Sequence, residues 1–185
     1  MASPATAHVG PWTERDLVAL PDDGQRHELV EGRLLVSPPP SGPHQVLALR
    51  LARLLDDAAP PELQTVEGLG VRVPGGSVLV PDVLVAEREA VLQDRSGILD
   101  PGAVRLVAEV VSPGSATMDR LAKPALYARA GIPHLWRVEL GEGSIVVLRL
   151  GEGGEYVVWG VARRGGPLQL DAPFPLRLDP TALGC

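Results

Sequence analysis

Two acidic residues interrupt apolar stretches of the chain, and a lysine follows shortly after the second. Asp82 lies within residues 78–85 and Glu109 within residues 106–111. A lone buried carboxylate costs several kcal/mol unless it is paired or bound to a metal. Two carboxylates can hold a hard divalent cation through their oxygens, and Lys123 is close enough in sequence to join them. The pattern therefore indicates a metal-dependent site.

These three residues are the minimum set for metal-assisted cleavage of a phosphodiester. A bound metal lowers the pKa of a water molecule and offsets the charge that builds on the phosphate. A lysine positions that water or stabilises the charge. Mg²⁺ or Mn²⁺ suits a site made only of oxygen ligands, whereas the lack of a His/Cys cluster in the sequence disfavours zinc.

Each of the three residues also has a simpler explanation. Because it follows Pro81, Asp82 is expected at a sheet edge or a bulge, where it could be a solvated or capping acid. Glu109 could form an ion pair with Arg105 or Arg120. Lys123 is spaced by four from both Asp119 and Tyr127, which would also fit an ordinary salt bridge on a solvated helix face.

The elements that would position these residues follow from periodicity, caps and turn residues. Helices are predicted over residues 13–20, 44–58 and 117–130, and because of Pro124 the last is expected either to begin near Lys123 or to kink there. Strands are predicted around residues 28–36 (a hairpin turning at Glu31-Gly32), 64–73, 78–86, 104–112, 134–139, 144–150 and 156–162, then a short strand and an irregular tail from 167. Residues 87–102 are expected to be a polar, turn-rich connection. This order predicts an α+β fold with a central mixed β-sheet flanked by helices.

Length and composition indicate one globular domain over residues 1–185, with residues 1–11 as a loose lead-in. The single cysteine, Cys185, excludes an internal disulfide. No apolar run approaches the length of a membrane span, and the N-terminus lacks the pattern of a signal peptide. We therefore expect a cytoplasmic protein that does not bind membranes.

The net charge of −6 argues against a general electrostatic grip on nucleic acid. Aromatic residues form only 3% of the chain, so platforms for stacking bases are scarce. An enzyme acting on nucleic acid is still compatible with these values, since acidic metal ligands count in the total and a local basic patch can persist.

Several short motifs together resemble the PD-(D/E)XK nuclease superfamily, and more closely the Uma-two-type restriction endonuclease family. The matching segments extend over most of the chain: residues 27–32, 37–40 with His44, 81–83, 107–113, 119–120, Lys123, 127–133 and 135–138. The resemblance implies a restriction-endonuclease-like core. It also implies Asp82 and Glu109 as metal ligands, Lys123 as the catalytic lysine and Glu28 as a supporting acid. In the superfamily the lysine follows the acid by two positions, which here is Val111, so Lys123 must reach in from the next helix.

His44, Asp119 and Tyr127 are possible accessory residues of the site, and Glu28 and Trp136 also have chemical or structural interpretations. Glu28 could support the metal site or be a charge at the hairpin edge. His44 could contact a phosphate or carry a proton, or be structural. Asp119 is expected to cap the helix rather than bind metal, and Trp136 is expected in the core.

Two functions fit these expectations. The first is a Mg²⁺- or Mn²⁺-dependent endonuclease that hydrolyses DNA with a metal-activated water. The second is a non-catalytic module for nucleic-acid or protein interaction on the same fold, which the acidic balance favours. A homodimer is expected for either function.

Overall fold

The computed structural model describes residues 8–184. The N-terminal part of the expected lead-in and Cys185 lie outside the described residues. Five α-helices are α1 Glu14–Val18, α2 Gly42–Ala58, α3 Arg88–Gln93, α4 Lys123–Arg129 and α5 Pro180–Leu183. The strands are β1 Arg26–Val30, β2 Arg33–Ser37, β3 Leu63–Glu67, β4 Gly70–Val73, β5 Ser77–Leu79, β6 Val83–Glu87, β7 Ile98–Leu99, β8 Val104–Val111, β9 His134–Glu139, β10 Ser144–Leu150, β11 Tyr156–Arg163, β12 Leu168–Leu170 and β13 Leu176–Leu178.

The strands form two mixed sheets and a small hairpin. The larger sheet has the order β11-β10-β9-β8-β6-β3, in which only β8 and β9 are parallel. The smaller has the order β2-β1-β5-β4-β7, in which only β4 and β7 are parallel. Strands β12 and β13 form the hairpin. The expected α+β class with a mixed sheet and flanking helices is confirmed.

Two continuous strands expected from the sequence are each divided between the sheets. The stretch 64–73 breaks at Gly68, whose positive φ of 69° turns the chain, so that β3 and β4 pair with different partners. The stretch 78–86 breaks at Pro81-Asp82, between β5 and β6. Proline has no amide hydrogen for a strand ladder, which favours a break at this position.

The connection over residues 87–102 is more structured than expected. It contains α3, β7 and a 3₁₀ turn at Pro101–Ala103. The tail likewise has two strands and α5 instead of one strand. Phe174 and Leu176 from this tail pack into the core, which is why the tail is ordered.

Neighbouring residues in the sequence correctly predicted several other features of the fold. Thr13 caps α1 with a full capping box through Asp16. The β1–β2 hairpin turns at Glu31 and Gly32, both with positive φ (48° and 77°), as a two-residue primed turn requires. Trp136 is fully buried, as expected.

The larger sheet is covered on both faces. On one face, α2 and the β12–β13 hairpin pack against residues such as Val83, Ala108 and Trp136. On the other face, α4 and the smaller sheet pack against residues such as Val107 and Leu135. Because side chains alternate along a strand, Glu109 faces the same side as Val107. That side places it between the two sheets, facing α4.

Candidate active site

The two sheets meet at Asp82, in the crossover between β5 and β6. The β6–β8 register pairs Val83 with Ala108, so the preceding Asp82 comes alongside Glu109. Asp82 is only 5% exposed, and the Val110 amide donates a 2.7 Å hydrogen bond to its Oδ2 atom. The interpretation of Asp82 as a solvated acid at a kink is therefore wrong. The chain breaks here because it passes from one sheet to the other.

Two cationic or polar side chains also contact Asp82. Arg26 Nη1 donates to Oδ1 at 2.6 Å, and His44 Nε2 lies 3.1 Å from Oδ2. Burial opposes ionisation of this carboxyl, but the hydrogen bond from His44 and the charge of Arg26 outweigh it and lower the pKa of Asp82 to about 2. Asp82 is thus an anion fixed by three donors from three separate segments.

Glu109 is more deeply buried, at 1% exposure, and its partners come from α4. The Tyr127 hydroxyl donates to Glu109 Oε1 at 2.7 Å, and Lys123 Nζ lies 3.1 Å from the same oxygen. Burial raises the pKa of Glu109; Lys123 opposes this shift and the nearby carboxylates reinforce it. The arginine partners suggested for Glu109 pair elsewhere: Arg105 with Glu87 and Arg120 with Glu139.

Lys123 lies among three carboxylates. Its Nζ atom is 3.0 Å from Glu28 Oε1, 3.1 Å from Glu109 Oε1 and 3.7 Å from Asp119 Oδ1. The lysine is 4% exposed, so the alternative of a salt bridge on a solvated face is wrong. Burial opposes its charge, but the three carboxylates raise the pKa of Lys123 well above its usual value. In the Lys123–Glu109 pair, the charged form of Lys123 is the better stabilised of the two, because Lys123 has three anionic partners.

Local helix geometry explains how Lys123 reaches the site. Residues Met118–Ala122 form one π-helical turn, and α4 begins at Lys123 with Pro124 in its first turn. The helical backbone is continuous from the π turn into α4, and the Lys123 amide donates to the Met118 carbonyl. The expected start of the α-helix near Lys123 is confirmed, and the π turn accommodates Pro124, which has no amide hydrogen to donate. Asp119 does not cap the helix as expected: it lies inside the π turn, buried, with its carboxylate towards Lys123.

Glu28 is buried on β1 and links the smaller sheet to the site. Its Oε1 atom accepts from the Val80 amide at 2.8 Å as well as contacting Lys123. The interpretation of Glu28 as a hairpin-edge charge is therefore wrong. A cavity of about 460 Å³ opens beside these groups, bounded by the proline loop at residues 37–41 and the turn at residues 112–115.

Arg26 was not among the site residues predicted from the sequence, although a signal for it exists. Arg26 and Glu28 are two positions apart on β1, so they share a face of that strand. Lys123 carries a second overlooked signal: it is the only lysine in the chain, and every other basic residue is an arginine. A compact ammonium fits among three carboxylates where a planar guanidinium would not.

The donor set fits a hard divalent cation in type and in charge. Four carboxylates (Glu28, Asp82, Glu109 and Asp119) surround two permanent cations, Arg26 and Lys123, which leaves negative charge in excess. Carboxylate oxygens are the ligands that Mg²⁺ and Mn²⁺ prefer. Within residues 8–184 no three His, Cys, Asp or Glu side chains already surround a common point. Protein cations hold the carboxylates instead.

Comparisons with known proteins identify the family of the chain and its fold. The profile of the Uma2 family, described as "Putative restriction endonuclease", matches residues 15–181. A crystal structure of a protein titled a putative nuclease belonging to DUF820, from Anabaena variabilis, superimposes with a TM-score of 0.73. The two proteins are 18% identical, and the match covers 94% of this chain and 97% of that chain, which shows a shared fold. No curated protein matches the chain. The chain belongs to the Uma2 family of restriction-endonuclease-like proteins.

Proposed function

We propose that the protein is an endonuclease that hydrolyses phosphodiester bonds of DNA with a water activated by Mg²⁺ or Mn²⁺. One observation carries the proposal: Lys123 Nζ lies within 3.0 Å of Glu28 and 3.1 Å of Glu109, beside a cavity that Asp82 also lines. Buried charges that cluster around a cavity are typical of catalytic sites. Membership of the Uma2 family supports a nuclease-like activity.

Asp82 and Glu109 are the residues that would hold the divalent cation. The bound cation would lower the pKa of a water molecule and offset charge on the phosphate. Lys123 is a permanent ammonium at the same carboxylates, so it can donate to the attacking water or to a phosphate oxygen. Its charge does not depend on pH in the neutral range, since its pKa is raised.

The surrounding residues orient these groups. Tyr127 fixes Glu109 through its hydroxyl, while the Val110 amide and His44 fix Asp82. Glu28 holds the Lys123 amine from the opposite sheet. Such supporting partners commonly set the orientation of metal ligands. Of the possible accessory residues, His44 contacts Asp82 and Asp119 contacts Lys123, so both would act through these partners.

The test uses isosteric variants that preserve volume. Asp82→Asn, Glu109→Gln and Lys123→Met are assayed on supercoiled plasmid and on single-stranded DNA and RNA with Mg²⁺ or Mn²⁺. Each variant should lower cleavage by about 100-fold or more, which is the scale of losing one preorganised electrostatic group. Glu87→Gln, at the exposed end of β6, is the matched control and should cleave normally.

Two outcomes would reject the nuclease assignment. One is a pure, folded protein that cleaves no nucleic acid with either metal. The other is a Lys123→Met variant that cleaves as well as the wild type.

A non-catalytic module is the second candidate, and the edge strand β11 favours it. Val157, Val158 and Trp159 are 54%, 62% and 52% exposed on that edge, which is unusual for consecutive apolar residues. A homodimer through this edge would suit either function. Sedimentation analysis that shows a dimer, together with no cleavage and no metal binding, would favour the module.

Within the described residues no helix is long and apolar enough to cross a bilayer. A cytoplasmic location remains part of the proposal.

A further inference from the structure

The two carboxylate oxygens of Asp82 are held in different ways. Oδ2 is fixed by the Val110 backbone amide at 2.7 Å and lies 3.1 Å from His44 Nε2. Oδ1 accepts from Arg26 Nη1 at 2.6 Å. A divalent cation that uses Asp82 therefore meets a rigid backbone donor at one oxygen and a long, flexible side chain at the other. Oδ1 is the oxygen that can be vacated at lower cost.

The two cations of the site differ in how firmly they are held. Lys123 contacts three carboxylates and is 4% exposed, so its release would leave several buried anions uncompensated. Among residues 8–184, Arg26 has an ion pair with Asp82 alone, and its side chain is 25% exposed. If it leaves Asp82, its guanidinium remains in contact with water. Arg26 is consequently the cation that an incoming metal would displace.

Open space beside Arg26 can accommodate its guanidinium after displacement from Asp82. The residue lines both the cavity beside Lys123 and a neighbouring groove of about 530 Å³ along α2, and His44 and Asp82 also line both spaces. Arg26 thus lies where the two spaces adjoin. A guanidinium is planar and presents paired donors, which suits a phosphate oxygen better than a single point charge does.

We propose that Arg26 is a displaceable cation that occupies Asp82 Oδ1 in the metal-free protein and leaves it when a divalent ion binds. The inference deepens the proposed function and rests on it, because it takes Asp82 as a metal ligand. Arg26 neutralises the carboxylate while the metal is absent, and its release adds a positive group to the cavity when the metal is present. Metal binding and phosphate binding are coupled through one side chain.

Competition between Arg26 and the metal for Asp82 predicts the direction in which the metal affinity changes when Arg26 is replaced. The apparent affinity for a ligand falls by the fraction of protein in the binding-competent state. If Arg26 covers Asp82 for about nine-tenths of the time, Arg26→Gln should bind Mn²⁺ about tenfold more tightly than the wild type. Arg26→Lys keeps the charge on a shorter side chain with a different head group, so it should hold Asp82 Oδ1 less closely, and its Mn²⁺ affinity should lie between the two. If Arg26 merely held Asp82 in place, its loss would weaken metal binding instead.

The experiment measures Mn²⁺ binding by electron paramagnetic resonance of the free ion, on the full chain without nucleic acid. Arg105→Gln is the matched control, because Arg105 pairs with Glu87 at the ends of β8 and β6 that lie opposite Glu109 and Asp82. Its Mn²⁺ affinity should equal that of the wild type. Melting temperatures with and without Mn²⁺ give a second readout, and Mn²⁺ should raise that of Arg26→Gln by more than that of the wild type.

The outcomes separate this inference from the proposed function. If the wild type binds Mn²⁺ and Arg26→Gln binds it equally or more weakly, the displacement is wrong and the nuclease assignment stands. If neither protein binds Mn²⁺ and neither cleaves DNA, both are wrong. Should Arg26→Gln fail to fold, Arg26→Lys decides: tighter binding than the wild type supports displacement, and equal or weaker binding overturns it.

Discussion

Charged residues lie at both ends of the strand pair β6–β8, with Asp82 directly before β6, and the two ends differ in how deeply these residues are buried. At one end, Asp82 and Glu109 are 5% and 1% exposed. At the other end, Glu87 and Arg105 form an ion pair, and their side chains are 50% and 40% exposed. The exposed end also borders the larger of the two cavities, about 880 Å³ against about 460 Å³. Cavity size and buried charge thus point to different ends of the same strands.

Burial of charge is the better guide to chemistry. An exposed ion pair such as Arg105–Glu87 contributes about 0–1 kcal/mol and is screened by salt. A buried cluster with more anions than cations opposes folding, because several carboxylates lose water without full compensation. A fold that keeps such a cluster at one end retains a feature that stability alone does not favour. That cost marks the end between the sheets as the functional one.

The largest difference between the ends should come from removing a cation from each. Lys123→Met leaves three buried carboxylates without their shared ammonium and should lower the free energy of unfolding by about 3–5 kcal/mol. Arg105→Met breaks only an exposed pair and should lower it by about 0.5 kcal/mol or less. Urea denaturation of both variants measures the difference. Equal losses would remove the contrast on which the site assignment rests.

Two tyrosines allow a finer comparison of the same kind. The Tyr127 hydroxyl donates to Glu109, and the Tyr156 hydroxyl donates to the Ile132 carbonyl, both at 2.7 Å. Either change to phenylalanine should lower the free energy of unfolding by about 1–2 kcal/mol. Only Tyr127→Phe should also slow cleavage, by about tenfold, because it frees a proposed metal ligand. A similar loss of cleavage in Tyr156→Phe would show that stability, not orientation, controls the rate.

Acid should weaken the exposed end through His134, which borders the larger cavity. Burial, assisted by the charge of Arg149, lowers the pKa of His134 from 6.5 to about 4. The His134 ring binds a proton less readily in the folded protein than in the unfolded chain. Its contribution to the free energy of unfolding is therefore fully present above pH 6.5 and is lost as the pH falls towards 4. Because the ring is partly exposed, we expect a loss of about 1 kcal/mol.

The check is urea denaturation at pH 7 and pH 5 for the wild type and His134→Gln. The variant should lose less stability between these values. Identical pH dependence in the two proteins would assign the acid sensitivity to other groups.

The smallest effect is expected at Leu92, which lines the larger cavity and is 60% exposed. Leu92→Ser should leave cleavage within about twofold and stability within about 0.5 kcal/mol. Plasmid cleavage at matched protein concentration measures this. A loss near that of Lys123→Met would move the functional site to the larger cavity.

The fold was predictable where local chemistry decides it. The Thr13 cap, the Glu31-Gly32 turn and the start of α4 near Lys123 each follow from neighbouring residues. The division into two sheets was not, because an apolar run does not reveal which strand it will pair with. Residues 78–86 look continuous in sequence, yet β5 pairs with β1 and β4 whereas β6 pairs with β3 and β8.

The candidate site shows the same limit. Asp82, Glu109 and Lys123 were recognisable because a charge inside an apolar run, or shortly after one, needs an explanation. Arg26 was not, since its partner Asp82 lies 56 positions away and ordinary strand residues surround it. The burial of Asp119 was also unexpected, because a π turn is not evident from residue types.

The lysine that contacts both Glu28 and Glu109 links the geometry of the site to the packing of the two sheets. Glu28 belongs to the smaller sheet and Glu109 to the larger, so the Lys123 amine forms ion pairs with both sheets. A shift of one sheet relative to the other would change the distance from this amine to one of its two carboxylates. The site is therefore a property of the pair of sheets, and neither sheet alone contains it.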